Sequence, residues 1–215
     1  MRMLFLGLMA FSGAALASES LELDYATLYS HTRKLDKDEL SALQFAFGFM
    51  HHQSKQMCHL ESAYLHTQKQ DIPLQITQEQ RFTVPSEKAL SLAKAVARFE
   101  LTEPVNQCDM SVQLETKAEY LKTAYDLQEL VLLYDQYTEF FDSMGSFLAF
   151  MMPSVKGLVL HFDKNMASDA IWLNDKLQPE LSIREGELRL SKDWLENKGQ
   201  LRLPVRPYRI TAITE

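Results

Sequence analysis

Residues 43–49 read LQFAFGF. Leu43, Phe45, Phe47 and Phe49 alternate with Gln44, Ala46 and Gly48, which is the period of a strand with one heavily buried face. Met57 to His66 reads as a second strand, so the QSKQ stretch at 53–56 is expected to turn a hairpin between the two. Cys108 opens a further alternating run through Met110, Val112 and Leu114. Short strands fit 72–76 and 80–84, each edged by Pro73 or Pro85, because proline cannot donate to a ladder. Residues 86–100 carry two periods at once. Leu90, Ala93, Val96 and Ala97 suit a helix, whereas Ala93, Ala95, Ala97, Phe99 and Leu101 suit a strand. The reading favours a turn followed by a strand from about 93 to 102. Before the opening strand, Asp24 to Leu35 fits a short helix with Tyr25, Leu28, Tyr29 and Leu35 on one face and Asp24 as its cap. A charged turn, Asp36 to Glu39, follows it.

The other decisive stretch begins at Tyr125. Asp126 and Glu129 form the D-x-x-E pattern of a capping box, and Tyr125 and Leu130 stand where a hydrophobic staple belongs. Gln128, Asp135, Glu139, Asp142 and Ser146 draw one solvent stripe down a helix. Apolar residues from Leu127 through Val131, Tyr134, Tyr137, Phe141, Met144 and Leu148 to Met151 fill the rest. Pro153 restricts Met152 and ends the helix there. Beyond it, short strand-like runs occur at 157–162, 170–173, 181–183, 187–190, 200–203 and 208–213, with one helical turn at Ser191–Glu196. The expected fold is α+β: mostly short antiparallel strands packed on one long amphipathic helix, about 127–151. The expected organisation is a single domain over 18–215, with a β-rich part at 18–124, the helix at 125–152 and a C-terminal β-rich part at 157–215. Two small β lobes bridged by the helix is the alternative.

The chain begins MRMLFLGLMAFSGAALA. Arg2, a short apolar run and Ala15-Leu16-Ala17 make the pattern of a cleaved signal peptide over 1–17, and the run is too short to span a membrane. The residue after the cut is Ser18, which carries no lipid anchor. Taking 17 from 215 residues leaves 198 in the mature chain. Every later apolar stretch is broken by Asp, Glu or Gln, so no transmembrane segment is expected. The localisation read from this is periplasmic or secreted. In an oxidising compartment the pair Cys58 and Cys108 reads as one disulfide. Apolar residues at 46% and charged ones at 24% fit a folded globular chain, and the net charge of −7 argues against nucleic acid as a partner. The glycines after the leader are Gly48, Gly145, Gly157, Gly186 and Gly199. No two are close, so neither a dinucleotide fingerprint, a P-loop nor a G-x-S-x-G elbow can be written with them.

Several residues are familiar together: Cys58, Cys108-Asp109, Tyr125-Asp126-Leu127 with Leu130, Met152-Pro153 ahead of Gly157-Leu158, and Leu203-Pro204 ahead of Arg209-Ile210. The set resembles a family of small secreted proteins of Gram-negative bacteria classed as a domain of unknown function. The resemblance covers nearly the whole mature chain. It implies export and a disulfide, and it carries no activity, substrate or catalytic residue.

The sharpest cluster of chemistry is FMHHQSKQMCH at 49–59. Imidazole and thioether suit copper. A hairpin turning at 53–56 would set His51 or His52 across from His59, with Met50 or Met57 as further ligands and His66 beyond. The competing reading has solvated histidines, core methionines and Cys58 in its disulfide. Ser91-Leu92-Ala93-Lys94 matches S-x-x-K without its partner motifs. Asp163-Lys164-Asn165 starts like a calcium loop, but Ser168 replaces the turn glycine and Asn174 the bidentate Glu. Phe147 to Met152 (FLAFMM) suits either a wall for an apolar ligand or a buried helix end, and Trp172 and Trp194 either stack on sugars or sit half-buried in sheets. The function expected is that of a non-enzymatic periplasmic binding or envelope assembly protein, without a cofactor, engaging an unidentified protein or an apolar envelope ligand. The alternatives are a copper-binding accessory protein using His51, His52 and His59, and a hydrolase acting on envelope polymers.

Overall fold

A computed structural model describes residues 19–144 and 153–215. The expected leader at 1–17, the FLAFMM run and the helix end at Met152-Pro153 lie wholly or partly outside the described residues. In chain order the elements are β1 (Glu19–Asp24), α1 (Tyr25–Thr32), β2 (Leu43–His51), β3 (Leu60–His66), β4 (Asp71–Pro73), β5 (Arg81–Phe82), α2 (Lys88–Leu92), β6 (Val96–Leu101) and β7 (Cys108–Thr116). There follow β8 (Ala124–Asp126), α3 (Leu127–Met144), β9 (Val155–His161), β10 (Trp172–Leu173), β11 (Lys176–Leu177), β12 (Glu187–Ser191), α4 (Lys192–Leu195), β13 (Gln200–Arg202) and β14 (Arg209–Thr214). The strands form four antiparallel sheets, ordered β1-β6-β3-β4, β5-β2-β7, β12-β9-β14 and β11-β10-β13-β8.

The fold is therefore mainly β, not the α+β arrangement of strands laid on one long helix. The physical reason lies in what β2 packs against. Its odd-numbered side chains meet other strands before they meet the helix. Phe49 stands edge-on to Phe99 of β6 at 5.1 Å, and Phe47 stacks on Phe82 of β5 at 5.9 Å. Phe45 reaches α3, edge-on to Phe140 at 5.7 Å. The strand β1, which Leu21 and Leu23 place along β6, was not among the expected elements. A single cluster of buried residues runs from Tyr25 to Ile210 through all of this.

The helix α3 starts as its sequence demands. The Asp126 carboxylate accepts the Gln128 N–H at 3.0 Å, and Glu129 accepts the Asp126 N–H at 3.1 Å, which closes the capping box. Tyr125 and Leu130 are both buried. The helix buries a narrower stripe than expected: Leu127, Leu130, Leu133, Gln136, Tyr137 and Phe140 are inside, while Leu132 and Met144 are exposed. Gln136 is inside because its Oε1 accepts the Ala42 N–H at 2.8 Å. Tyr137 is inside because its hydroxyl donates to the Ile210 carbonyl at 2.7 Å and meets Thr116 Oγ1 at 3.1 Å. That one side chain joins β7 to β14 from below. At the other helix, Asp24 precedes α1 as expected but makes no side-chain cap bond.

The expected hairpin of 43–50 with 57–66 is short. Met57 bridges Met50, the His51 N–H donates to the Gln56 carbonyl, and the Cys58 N–H donates to that of Phe49. Beyond Cys58 the chain leaves for another sheet, where β3 pairs with β6 and β4. The partners of β2 are β5 and β7 instead. The disulfide is present between Cys58 and Cys108, whose Cα atoms are 6.3 Å apart, and it fixes the crossing point beside the His51–Cys108 pair that ends the β2–β7 ladder. Closing a loop of this length restricts the unfolded chain by about 4 kcal/mol on the chain-entropy model. Residues 86–100 hold the short helix α2 in place of the expected turn, and the strand that follows, β6, starts at Val96 rather than about 93. Residues 181–183 form no strand, only a bridge between Ser168 and Ile183.

Candidate functional site

Because a strand alternates, the even residues of β2 face away from the phenylalanine core. The register sets Gln44 opposite Glu115, Ala46 opposite Gln113, and Gly48 opposite Ser111 of β7 and Arg81 of β5. This second face is polar, yet it is half-buried or buried throughout. Gly48 makes room for it. A Cβ there would stand 2.8 Å from the Gln80 carbonyl oxygen and against the Met57 methyl group. The turn leading into β5 can therefore lie flat on the sheet, and it lays Arg81 across it.

Arg81 is 8% exposed. Its partners are weak and neutral: Nη2 reaches Ser111 Oγ at 3.3 Å and the Met57 sulfur at 3.8 Å, and Nη1 reaches the Ala46 carbonyl at 3.5 Å. Burial pushes its pKa down, and the charge of Arg209 adds to that, while Glu115 and Glu79 oppose it. Arg209 comes from β14, which lies beside β7. Its Nη1 donates to Gln113 Oε1 at 3.2 Å, its guanidinium lies over the Tyr208 ring at 5.3 Å, and its buried Nε has no acceptor among the described residues. Glu115 accepts from Gln44 Nε2 at 3.0 Å, and burial raises its pKa. Among the described residues, no carboxylate comes within 4.0 Å of either Arg81 or Arg209. Buried guanidinium groups are ordinarily paired with carboxylates or well hydrogen-bonded. Here two guanidinium and two carboxylate groups sense one another and stay out of contact.

The polar face continues onto β9 and β12. His161 pairs with Arg209 on one side and Glu187 on the other. Its Nε2 bonds Thr211 Oγ1 at 2.8 Å, and its Nδ1 is 3.6 Å from Glu187 Oε1. Burial, then the charges of Arg209 and Arg189, lower its pKa to about 4. It is therefore neutral near pH 7, and its approach to Glu187 is not an ion pair. A groove of about 430 Å³ opens along this edge, lined by His161, Lys164, Arg184, Glu187, Tyr208 and Arg209 among others. A second cleft, about 480 Å³, lies between the start of α3 and α4, with Leu127, Val131, Tyr134 and Leu195 as its apolar wall and Lys192 and Lys198 at its rim.

The histidines expected to bind copper sit at the far end of β2. His51 and His52 stack at 5.4 Å. His51 Nε2 bonds Gln107 Oε1 at 2.9 Å, and its Nδ1 accepts two backbone N–H groups, from Gln53 and Ser54, so both ring nitrogens are engaged. His52 Nδ1 bonds the Gln107 carbonyl at 3.0 Å. His59 is exposed on the other side of the short turn, its N–H bonded to Glu103 Oε2 at 2.8 Å. Among the described residues, the group of His, Cys, Asp and Glu with ligand atoms within 4.8 Å of one another is Cys58, Glu103 and Cys108, not the three histidines. Its two sulfurs are bonded to each other. Met57 lies by Arg81, and His66 pairs with Asp71 at 2.6 Å. Trp172 lies 41% exposed on the two-residue strand β10, and Trp194 packs against the core from helix α4 rather than from a sheet.

Sequence reading did not single out Arg81 or Glu115, and it named Arg209 only among the residues of the family resemblance, with no role. The signal available was a run of polar residues, Ser111, Gln113 and Glu115, alternating with the apolar face of β7. A family model described as a protein of unknown function (DUF2987) matches residues 17–162. The chain belongs to that family. The DUF2987 match takes in Arg81, Glu115 and His161 and stops before Arg209. No curated protein and no solved structure matches the chain.

The His161 imidazole, followed by NMR, is expected to titrate near pH 4. Because its folded pKa lies below the unfolded value, stability is full above about pH 6.5 and falls as the pH drops toward 4. In an Arg209→Met variant the midpoint moves up. A midpoint unchanged by that substitution would show that the two groups do not share a face.

Proposed function

We propose that this chain is an exported, non-enzymatic binding protein that takes its ligand on the polar face built from β2, β5, β7 and β14. Export rests on Arg2, the apolar run and Ala15-Leu16-Ala17, and it agrees with a disulfide that needs an oxidising compartment. Sequencing the N-terminus of the protein recovered from its host tests this, with Ser18 first as the expected result and Met1 as the contrary one.

The observation that carries the binding reading is Arg81, 8% exposed and, among the described residues, with no carboxylate within 4.0 Å. A charge buried in this state lowers stability, because desolvation is not offset by a partner. Buried charges without a partner cluster at functional sites, which marks Arg81 as a candidate ligand contact. The prediction follows from the sign. If Arg81 served the fold, replacing it would destabilise the protein. If it serves a ligand, Arg81→Met removes an uncompensated charge, keeps most of the volume and stabilises the free protein by about 1–2 kcal/mol. For a chain of this size that raises Tm by roughly 2–8 °C. Thermal unfolding followed by circular dichroism reads it directly. A fall in Tm of that size would assign Arg81 to the fold and end the binding reading.

A further inference from the structure

We infer that the ligand presents an oxyanion, a carboxylate or a phosphate, to Arg81 and Arg209 together; this rests on the binding reading above and names its ligand class. The unmet demand on the polar face is for acceptors. Of the five N–H donors of a guanidinium, Arg81 has only long contacts to a carbonyl, a hydroxyl and a thioether. Arg209 leaves its buried Nε without an acceptor among the described residues. Arg81 and Arg209 bond to Ser111 and Gln113, two residues apart on one face of β7, and Gln113 spends its Oε1 on Arg209, which leaves its amide nitrogen as one more donor. An oxyanion answers all three, since charge-assisted bonds to a guanidinium are the strong ones and arginine matches carboxylate and phosphate in bidentate fashion.

The chain's own carboxylates do not fill this role. Glu115 is held by Gln44 Nε2, and Glu79 lies within electrostatic range without forming an ion pair. Their presence limits how much negative charge the ligand brings and leaves acceptors for a hydroxyl or amine on it. The groove along His161, Lys164, Tyr208 and Arg209 gives the rest of a ligand somewhere to lie. The cleft beside α4, walled by Leu127, Val131 and Leu195, lacks a buried unpaired polar group and takes no part.

The experiment uses the whole mature chain in a buffer without coordinating anions, at constant ionic strength. Sodium phosphate and sodium citrate are titrated by calorimetry, with sodium chloride as control, into wild type, Arg81→Met, Arg209→Met and the remote variant Lys192→Met. The expected result is saturable binding of phosphate or citrate, lost at least about tenfold in both arginine variants and kept in Lys192→Met; tenfold corresponds to about 1.4 kcal/mol. Phosphate alone would name a phosphoryl ligand, and citrate alone a carboxylate one. Absence of binding by either up to about 10 mM, where even a millimolar Kd is nearly saturated, would overturn the inference. So would binding indifferent to both arginine substitutions. Should Arg81→Met nonetheless raise Tm, the polar face remains a binding surface and only the ligand class is wrong. Should it lower Tm, both readings fail.

Discussion

The ladder between β2 and β7 is the constraint on which the rest depends. It pairs nine residues of each strand, from Leu43 with Thr116 to His51 with Cys108. Its period of two sorts every side chain onto one of two faces. The odd residues of β2 give Leu43, Phe45, Phe47 and Phe49 to the core. The even ones give Gln44, Ala46 and Gly48 to the polar face. A slip of one residue would exchange the faces and bury Gln44 among phenylalanines. The Cys58–Cys108 bond stands at the end of this ladder and holds the chain where it leaves β2 for the neighbouring sheet.

The second sheet is fixed to the first from both sides at one seam. From the core, the Tyr137 hydroxyl reaches Thr116 of β7 and the Ile210 carbonyl of β14. Burial pushes the Tyr137 phenol pKa upward, so it stays a donor at any ordinary pH. From the polar side, Arg209 reaches Gln113. Ile210 and Arg209 are adjacent, so the bond that seats Ile210 also aims Arg209. The two guanidinium groups of the proposed site thus come from strands far apart in sequence, and the core positions one of them. Gly48 positions the other by letting the turn before Arg81 lie on the sheet.

What was legible in the sequence was what local chemistry determines. The alternation of β2 and β7, the capping box of α3 and the disulfide pairing are all present at the expected residues. The fold class was not legible, because it turns on which strand meets which. The stretch 57–66 reads as a hairpin partner for β2, yet Leu60 to His66 pairs with β6. Only a distant segment decides that. The histidine cluster turns on the same kind of contact. His51, His52 and His59 are close in sequence; His51 and His52 stack on each other, and His59 is exposed beyond the turn, so among the described residues their ring nitrogens do not form a convergent group. Arg81 falls in the expected short strand 80–84, where nothing local tells which of its faces is covered. Its burial appears only when Gly48, Ser111 and Met57, from three other segments, are brought around it.

The central claim is that Arg81 and Arg209 are held for a ligand and not for the chain's own carboxylates. The most direct measurement is NMR of their side-chain Nε–Hε signals in the folded, ligand-free protein, compared between wild type and a Glu115→Gln, Glu79→Gln variant. Without direct pairing, both signals keep the exchange rates and shifts of unpaired guanidinium groups, and the variant changes them little. Slowly exchanging signals that move to unpaired values only in the variant would mean that the arginines are paired with Glu115 or Glu79, and would contradict the account.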